Sequence, residues 1–162
     1  MRWLKHAWSE LLGVQRAFPV AVRASIEREI AAVEASYQGE ICFAVEAALS
    51  LEHLWRKTTA RQRAIECFSM LGVWDTAANN GVLVYVLLAD KCVEIVADRG
   101  IAMRVGEDQW QSLCVAVETR FHRGEFDAGS RQAVRGIAEQ LTTHFPDSKS
   151  LRNELPNQPI LL

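Results

Sequence analysis

Apolar positions fall into two rhythms along this chain, a spacing of three and four and a set of unbroken runs. After Pro19, the residues Val22, Ile26, Ile30, Val33 and Tyr37 recur at intervals of four and three, which places one apolar stripe along a helix. Pro19 fits the first turn of that helix, where its missing N–H has no partner to lose. Gly39 is a suitable stop. Glu40-Ile41-Cys42-Phe43-Ala44-Val45-Glu46 then reads as a first buried strand. Residues 48–57 carry no clear period and are expected to be irregular, with Leu51, Leu54 and Trp55 covering a core edge.

Thr58 or Thr59 can cap a second helix. Its expected apolar stripe is Ile65, Phe68 and Leu71, with Arg61, Arg63 and Glu66 mostly toward water and Gly72 at its end. From Val82 to Ala89 every residue is apolar, and the run is rich in β-branched side chains. That pattern predicts a second strand, buried on both faces. Asp90-Lys91 makes a tight turn, and Cys92–Asp98 returns as a third strand with Val93, Ile95 and Ala97 on one face. Two more helices follow. Trp110, Leu113, Cys114, Val117 and Phe121 line the first, and Val134, Ile137, Leu141 and Phe145 the second, with Gly124 between them and Pro146 as the stop. Residues 147–162 are expected to form an extended tail.

These elements predict an α/β fold, a small mixed sheet of three to four strands between helices in an α/β/α sandwich. A helix joins the first two strands, so they should run parallel through a right-handed crossover. A tight turn joins the second and third, so they should pair antiparallel. The consequence is spatial. The starts of strands one and two and the end of strand three lie at one edge of the sheet. Asp75–Gly81, Asp98-Arg99-Gly100 and Glu40 are therefore expected to meet there, although scattered in sequence. The helix after Gly106 is expected to start nearby.

Composition narrows the function classes. The chain has 162 residues, 49% hydrophobic and 23% charged, with a formal net charge of -2. That length suits one domain with its own core. Lys and Arg are spread along the chain without clusters, so the basic footprint of a nucleic-acid binder is missing. Cys42, Cys67, Cys92 and Cys114 sit among apolar neighbours and form no Cys-x-x-Cys pair. They read as reduced, buried thiols, and the expected location is cytoplasmic. No run of about 18 apolar residues offers a membrane span. Residues 1–18 read as a short amphipathic helix. Trp3 and Trp8 suit either docking on the domain or contact with a protein partner or membrane surface.

Three readings fit the polar edge. In the first, Asp and Asn only bond local backbone in turns, and Asn80-Gly81 tolerates positive φ. In the second, Asp75 and Asp98 supply anionic oxygens while Asn79, Asn80 and loop carbonyls supply neutral ones, the set calcium prefers. The rhythm of an EF-hand loop is absent. In the third, the edge is catalytic. Elsewhere His6, His53, His122 and His144 lack metal-ligand spacing, and Ser50, Ser69, Ser112 and Ser130 lack a nucleophile-elbow context. There is no P-loop and no Gly-x-Gly-x-x-Gly.

Asp75-Thr76-Ala77-Ala78-Asn79-Asn80-Gly81-Val82-Leu83 and Val93-Glu94-Ile95-Val96-Ala97-Asp98-Arg99-Gly100-Ile101 together resemble the TPM domain family. The family joins thylakoid lumen proteins, a photosystem II repair factor and a levamisole-receptor modulator. The later stretch Phe121-His122-Arg123-Gly124-Glu125-Phe126 up to Gly129 is similar to it too, and the resemblance spans about residues 20–145. It implies a small sheet between helices and a binding or assembly module. It also implies a calcium site carried over onto Asp75, Asn79, Asn80 and Asp98. A plant member described as an acid phosphatase implies the alternative, a phosphate monoester hydrolase. Arg99 stands where some relatives have a small or aromatic residue, and it offers an anion a charged partner.

Overall fold

The computed structural model describes residues 13–146 and 153–162. Residues 13–17 are helical, and the expected Trp3/Trp8 segment lies outside the described residues. Helix α1 spans Val20–Glu34, with Pro19 in extended conformation just before it. Strand β1 covers Glu40–Glu46. Helices α2, Leu51–Trp55, and α3, Ala60–Met70, lead to strand β2, Gly81–Leu87. Strand β3 is Cys92–Ala97. Helices α4, Arg99–Ala102, α5, Glu107–His122, and α6, Phe126–His144, follow. A two-residue strand β4, Ile160–Leu161, closes the described chain.

The sheet order is β3-β2-β1-β4. Strand β1 runs parallel to β2, with Glu40 opposite Gly81, and β2 pairs antiparallel with β3, with Val82 opposite Ala97. The expected mixed sheet is therefore present. Every residue of β1 and β2 is buried, because helices cover both faces. On one face Ile41, Phe43, Val84 and Ile95 pack with Ile26 and Ile30 of α1, Val117 of α5 and Ile137 of α6. Phe18, Phe43, Phe121 and Phe126 form an aromatic group there, with ring centroids 5.1–6.1 Å apart. On the other face Cys42, Ala44, Leu83 and Tyr85 meet Leu54, Ala64, Cys67 and Leu155. β3 is an edge strand, and side chains occupy its outer backbone groups. Val93 N donates to Glu118, and Arg61 donates to the Ile95 carbonyl.

Several expectations need correction. Residues 51–55 form a helix, because the Ser50 side chain accepts from His53 N and starts it. Strand β2 stops at Leu87, where Leu88–Asp90 wind into a 3-10 turn ending on a left-handed Lys91. The inward face of α3 is Ala64 and Cys67, with the expected Phe68 and Leu71 partly buried beside them, whereas Ile65 is 48% exposed. Arg63 turns inward to Glu46, and Arg61, still partly exposed, donates to the Ile95 carbonyl. Residues 153–162 do more than cross the surface. Ile160 and Leu161 pair with Ala44 and Val45 as a fourth, parallel strand.

Candidate functional site

The polar edge forms because three backbone segments end together. Asp98 N donates to the Gly81 carbonyl at 2.9 Å, the last bond of the β2–β3 ladder. Gly100 N donates to the Asn79 carbonyl at 2.9 Å, which ties the loop before β2 to the start of α4. That approach requires glycine, since a Cβ at position 100 would lie 2.4 Å from the Asn79 carbonyl oxygen. Asn79 itself has φ of 51°, a left-handed conformation that asparagine tolerates.

Each residue expected at the site can now be placed. Asp98 is buried and caps α4, one carboxylate oxygen accepting from Arg99 N at 2.7 Å. Its second oxygen, Oδ2, is buried and has no hydrogen-bond partner. Asn79 Oδ1 accepts from the Arg99 guanidinium at 3.1 and 3.3 Å. Asn80 is 2% exposed and turned inward. Its amide donates to the Gln38 carbonyl at 2.8 Å, and its Oδ1 accepts from the Thr76 hydroxyl at 3.4 Å. Asp75 is exposed at the far end of the loop. The structure thus joins Asp98, Asn79 and Arg99 directly, uses Asn80 to fasten the loop, and leaves Asp75 facing solvent. Among the described residues no three of His, Cys, Asp and Glu gather as a metal-binding group. The helix that begins at this edge is α4, whereas α5 begins after Gly106 beside Arg61, Ile95 and Ala97.

Glu40 stands at this edge opposite Gly81, but its side chain turns away from the loop to residues 154 and 155. It is 5% exposed, and its two carboxylate oxygens accept from Glu154 N at 3.2 Å and Leu155 N at 3.3 Å. Burial pushes its carboxyl up, against those two backbone bonds. Glu34 lies beside it on a cleft of about 220 Å3, and burial pushes its carboxyl up to about 7. Sequence reasoning missed both the tail contacts and a second polar network. Arg63 grips Glu46 through Nε and NH2 at 3.0–3.2 Å, and the Tyr85 hydroxyl donates to the same carboxylate. That network continues outward from Arg63 to Glu66, from Glu66 to His53 and from His53 to Ser50. Ser50 also caps α2, so this chain of side chains clamps α2 onto α3. A glutamate at each end of a strand with an apolar interior was the available signal, Glu46 here, because a buried charge requires a partner.

Comparison with known proteins agrees with the fold. A family model described as TPM domain matches residues 15–140. Among solved structures, the NMR structure of the BA42 protein from the psychrophilic bacterium Bizionia argentinensis is similar, with a TM-score of 0.75 and 28% identity. The alignment covers 88% of this chain and 93% of that one. No curated protein matches. No helix among the described residues is long and apolar enough to cross a membrane.

Proposed function

The chain belongs to the TPM domain family, and from that premise we propose a non-enzymatic binding or assembly module whose polar edge takes a calcium ion. One observation carries the reading: the buried Asp98 Oδ2 has no protein partner. A buried carboxylate oxygen without a donor is costly, and a bound cation relieves that cost. The donor set suits a hard cation: the Asp98 carboxylate, the Asn79 amide oxygen and nearby loop carbonyls, joined by Asp75 and Asn80 once the loop turns the solvent-facing carboxylate and the Thr76-bonded amide oxygen toward the ion. Bound calcium would fix the loop on α4 and so set the surface offered to a partner. Arg99 competes with the ion, because its guanidinium already lies on Asn79 Oδ1. Removing that charge by Arg99→Ala should tighten calcium binding.

Thermal melting in millimolar calcium and in chelator tests the reading. At about 100 times its dissociation constant a ligand stabilises by about 2.7 kcal/mol. Calcium should raise the wild-type midpoint and leave Asp98→Asn unmoved; coincident wild-type curves refute it. The alternative is a phosphate monoester hydrolase, favoured by the exposed Arg99 beside Asp98. Asp75 would then act as nucleophile or metal ligand, with Arg99 stabilising the developing phosphate charge. Turnover of a chromogenic phosphate ester that survives Asp75→Ala counts against it. A protein or peripheral membrane contact through Trp3 and Trp8 belongs to the same proposal. Binding that persists after deletion of residues 1–13 removes that clause.

A further inference from the structure

The loop at the polar edge is held at two ends by different parts of the chain. Its second half is fixed from the body of the domain. Asn79 is tied to Gly100 and Arg99, and Asn80 is tied to Gln38. The first half carries Asp75 and is fixed from elsewhere. Asp75 N and Asn79 N make local turn bonds to Gly72 and Thr76. Among the described residues, the hydrogen bond that ties this half to a distant segment is Ala77 N to the Glu154 carboxylate, at 3.1 and 3.5 Å.

Glu154 is not a loosely presented acid. Glu40, at the start of β1, accepts the backbone N–H groups of both Glu154 and Leu155. Leu155 is 8% exposed and packs into the core on the α2–α3 side of the sheet. Further along, Asn157 lines the same cleft as Glu34 and Glu40. Ile160 and Leu161 pair with β1, and Leu162 N donates to the Val45 carbonyl at 2.9 Å. The backbone around residue 154 is therefore fixed by a buried carboxylate, an apolar anchor and a strand pairing. A side chain on such a support can hold another segment in place.

We infer that Glu154 is a positioning residue of the candidate site, and that residues 153–162 form its third wall, with Glu40 as the catch. Glu154 acts through the Ala77 amide and so sets where Asp75 stands relative to Asp98. This inference rests on the reading of the edge as the site. A strand that only completed the sheet would need the β4 pairing and Leu155, but not a carboxylate on Ala77.

Amide hydrogen exchange on the full chain, read by NMR, tests it with Glu154→Ala, Glu154→Gln and Glu40→Gln. Glu154→Ala should speed exchange at Ala77 by about tenfold, roughly the factor of one ordinary hydrogen bond. Glu154→Gln keeps an oxygen acceptor and should restore most of the protection. Amides of Ile41–Val45 should not change in either variant. Glu40→Gln should speed exchange at Glu154, Leu155 and Ala77 together. Should Glu40→Gln fail to fold, the surface change Glu154→Ala still decides. Unchanged exchange at Ala77 in Glu154→Ala overturns the inference. Calcium titration of the same proteins separates it from the reading of the site. Weaker calcium binding in Glu154→Ala, rescued in Glu154→Gln, supports the positioning role, and equal affinity in all three overturns it. Faster Ala77 exchange in a protein that never binds calcium supports the positioning role and rejects only the cation.

Discussion

Replacing Arg63 with Ala removes the cation that faces a carboxylate at the end of β1. The Glu46 side chain is 9% exposed and the Arg63 side chain 15%, so neither charge is well solvated. Three Arg63–Glu46 hydrogen bonds disappear, and Glu46 keeps the Tyr85 hydroxyl. Breaking a buried pair from one side costs about 3–5 kcal/mol. Partial solvent access at Arg63 lowers the expectation here to about 2–4 kcal/mol. Replacing both partners, as Arg63→Met with Glu46→Gln, leaves no uncompensated charge. The double variant should recover more than half of the loss, giving a coupling energy of about 2 kcal/mol. Equilibrium urea unfolding followed by tryptophan fluorescence measures the wild type, Arg63→Ala, the single variants Arg63→Met and Glu46→Gln that close the cycle, and the double variant. A loss below about 1 kcal/mol for Arg63→Ala would put this arginine with ordinary surface residues and refute the reasoning.

Other consequences follow from single residues. Burial pushes the Glu34 carboxyl up to about 7 from 4.5, against a hydrogen bond from Ile41, while the Glu40 charge adds to the rise. The native chain therefore holds this proton more tightly than the unfolded chain. Its contribution is fully present below about pH 4.5 and is lost as pH rises through 7. Glu34→Gln should flatten that slope and stabilise the protein at pH 8 by about 1–2 kcal/mol, after allowance for screening. Urea midpoints at pH 5 and pH 8 check this, and an unchanged slope counts against it. Gly100→Ala would place a Cβ 2.4 Å from one backbone carbonyl oxygen and 2.9 Å from another, so the loop must leave α4. It should cost about 2 kcal/mol by thermal melting. At Gly72 there is space around the added methyl, and only its φ of 68° opposes it, so Gly72→Ala should cost about 1 kcal/mol. Burial pushes the Cys42 and Cys114 thiols up to about 12. At pH 8 both should react with an aromatic disulfide at least about a hundredfold more slowly than in denaturant.

The strands were readable in the sequence because β1 and β2 are buried on both faces and therefore carry unbroken apolar runs. Their directions followed from connection length alone. The convergence of the loop before β2 with the end of β3 followed in turn from those directions. Other features left weaker traces. Helix α2 has five residues, too few to show a period, and only the Ser50 cap marks it. On α3 the fully buried residues are Ala64 and Cys67, small residues beside charged neighbours that leave little trace; Phe68 and Leu71 of the expected stripe pack against that core, and only Ile65 turns away. Arg63 reads as a surface residue until Glu46 is seen to face it across 17 positions. The contact between Ala77 and Glu154 spans 77 positions and involves a backbone N–H, which has no signature in residue type. At the candidate site, the meeting of Asp98 and Asn79 at one edge was legible, but the role of Asn80 as a fastener to Gln38 depends on tertiary geometry.

The central claim is that the edge formed by residues 75–81 and 98–101 takes a calcium ion. Calcium titration of the isotope-labelled full chain, followed through its amide resonances, tests that claim most directly. The account predicts saturable shifts concentrated at Asp75–Gly81 and Asp98–Ile101, lost in Asp98→Asn. Shifts that are absent, or that centre on other parts of the chain, would contradict it.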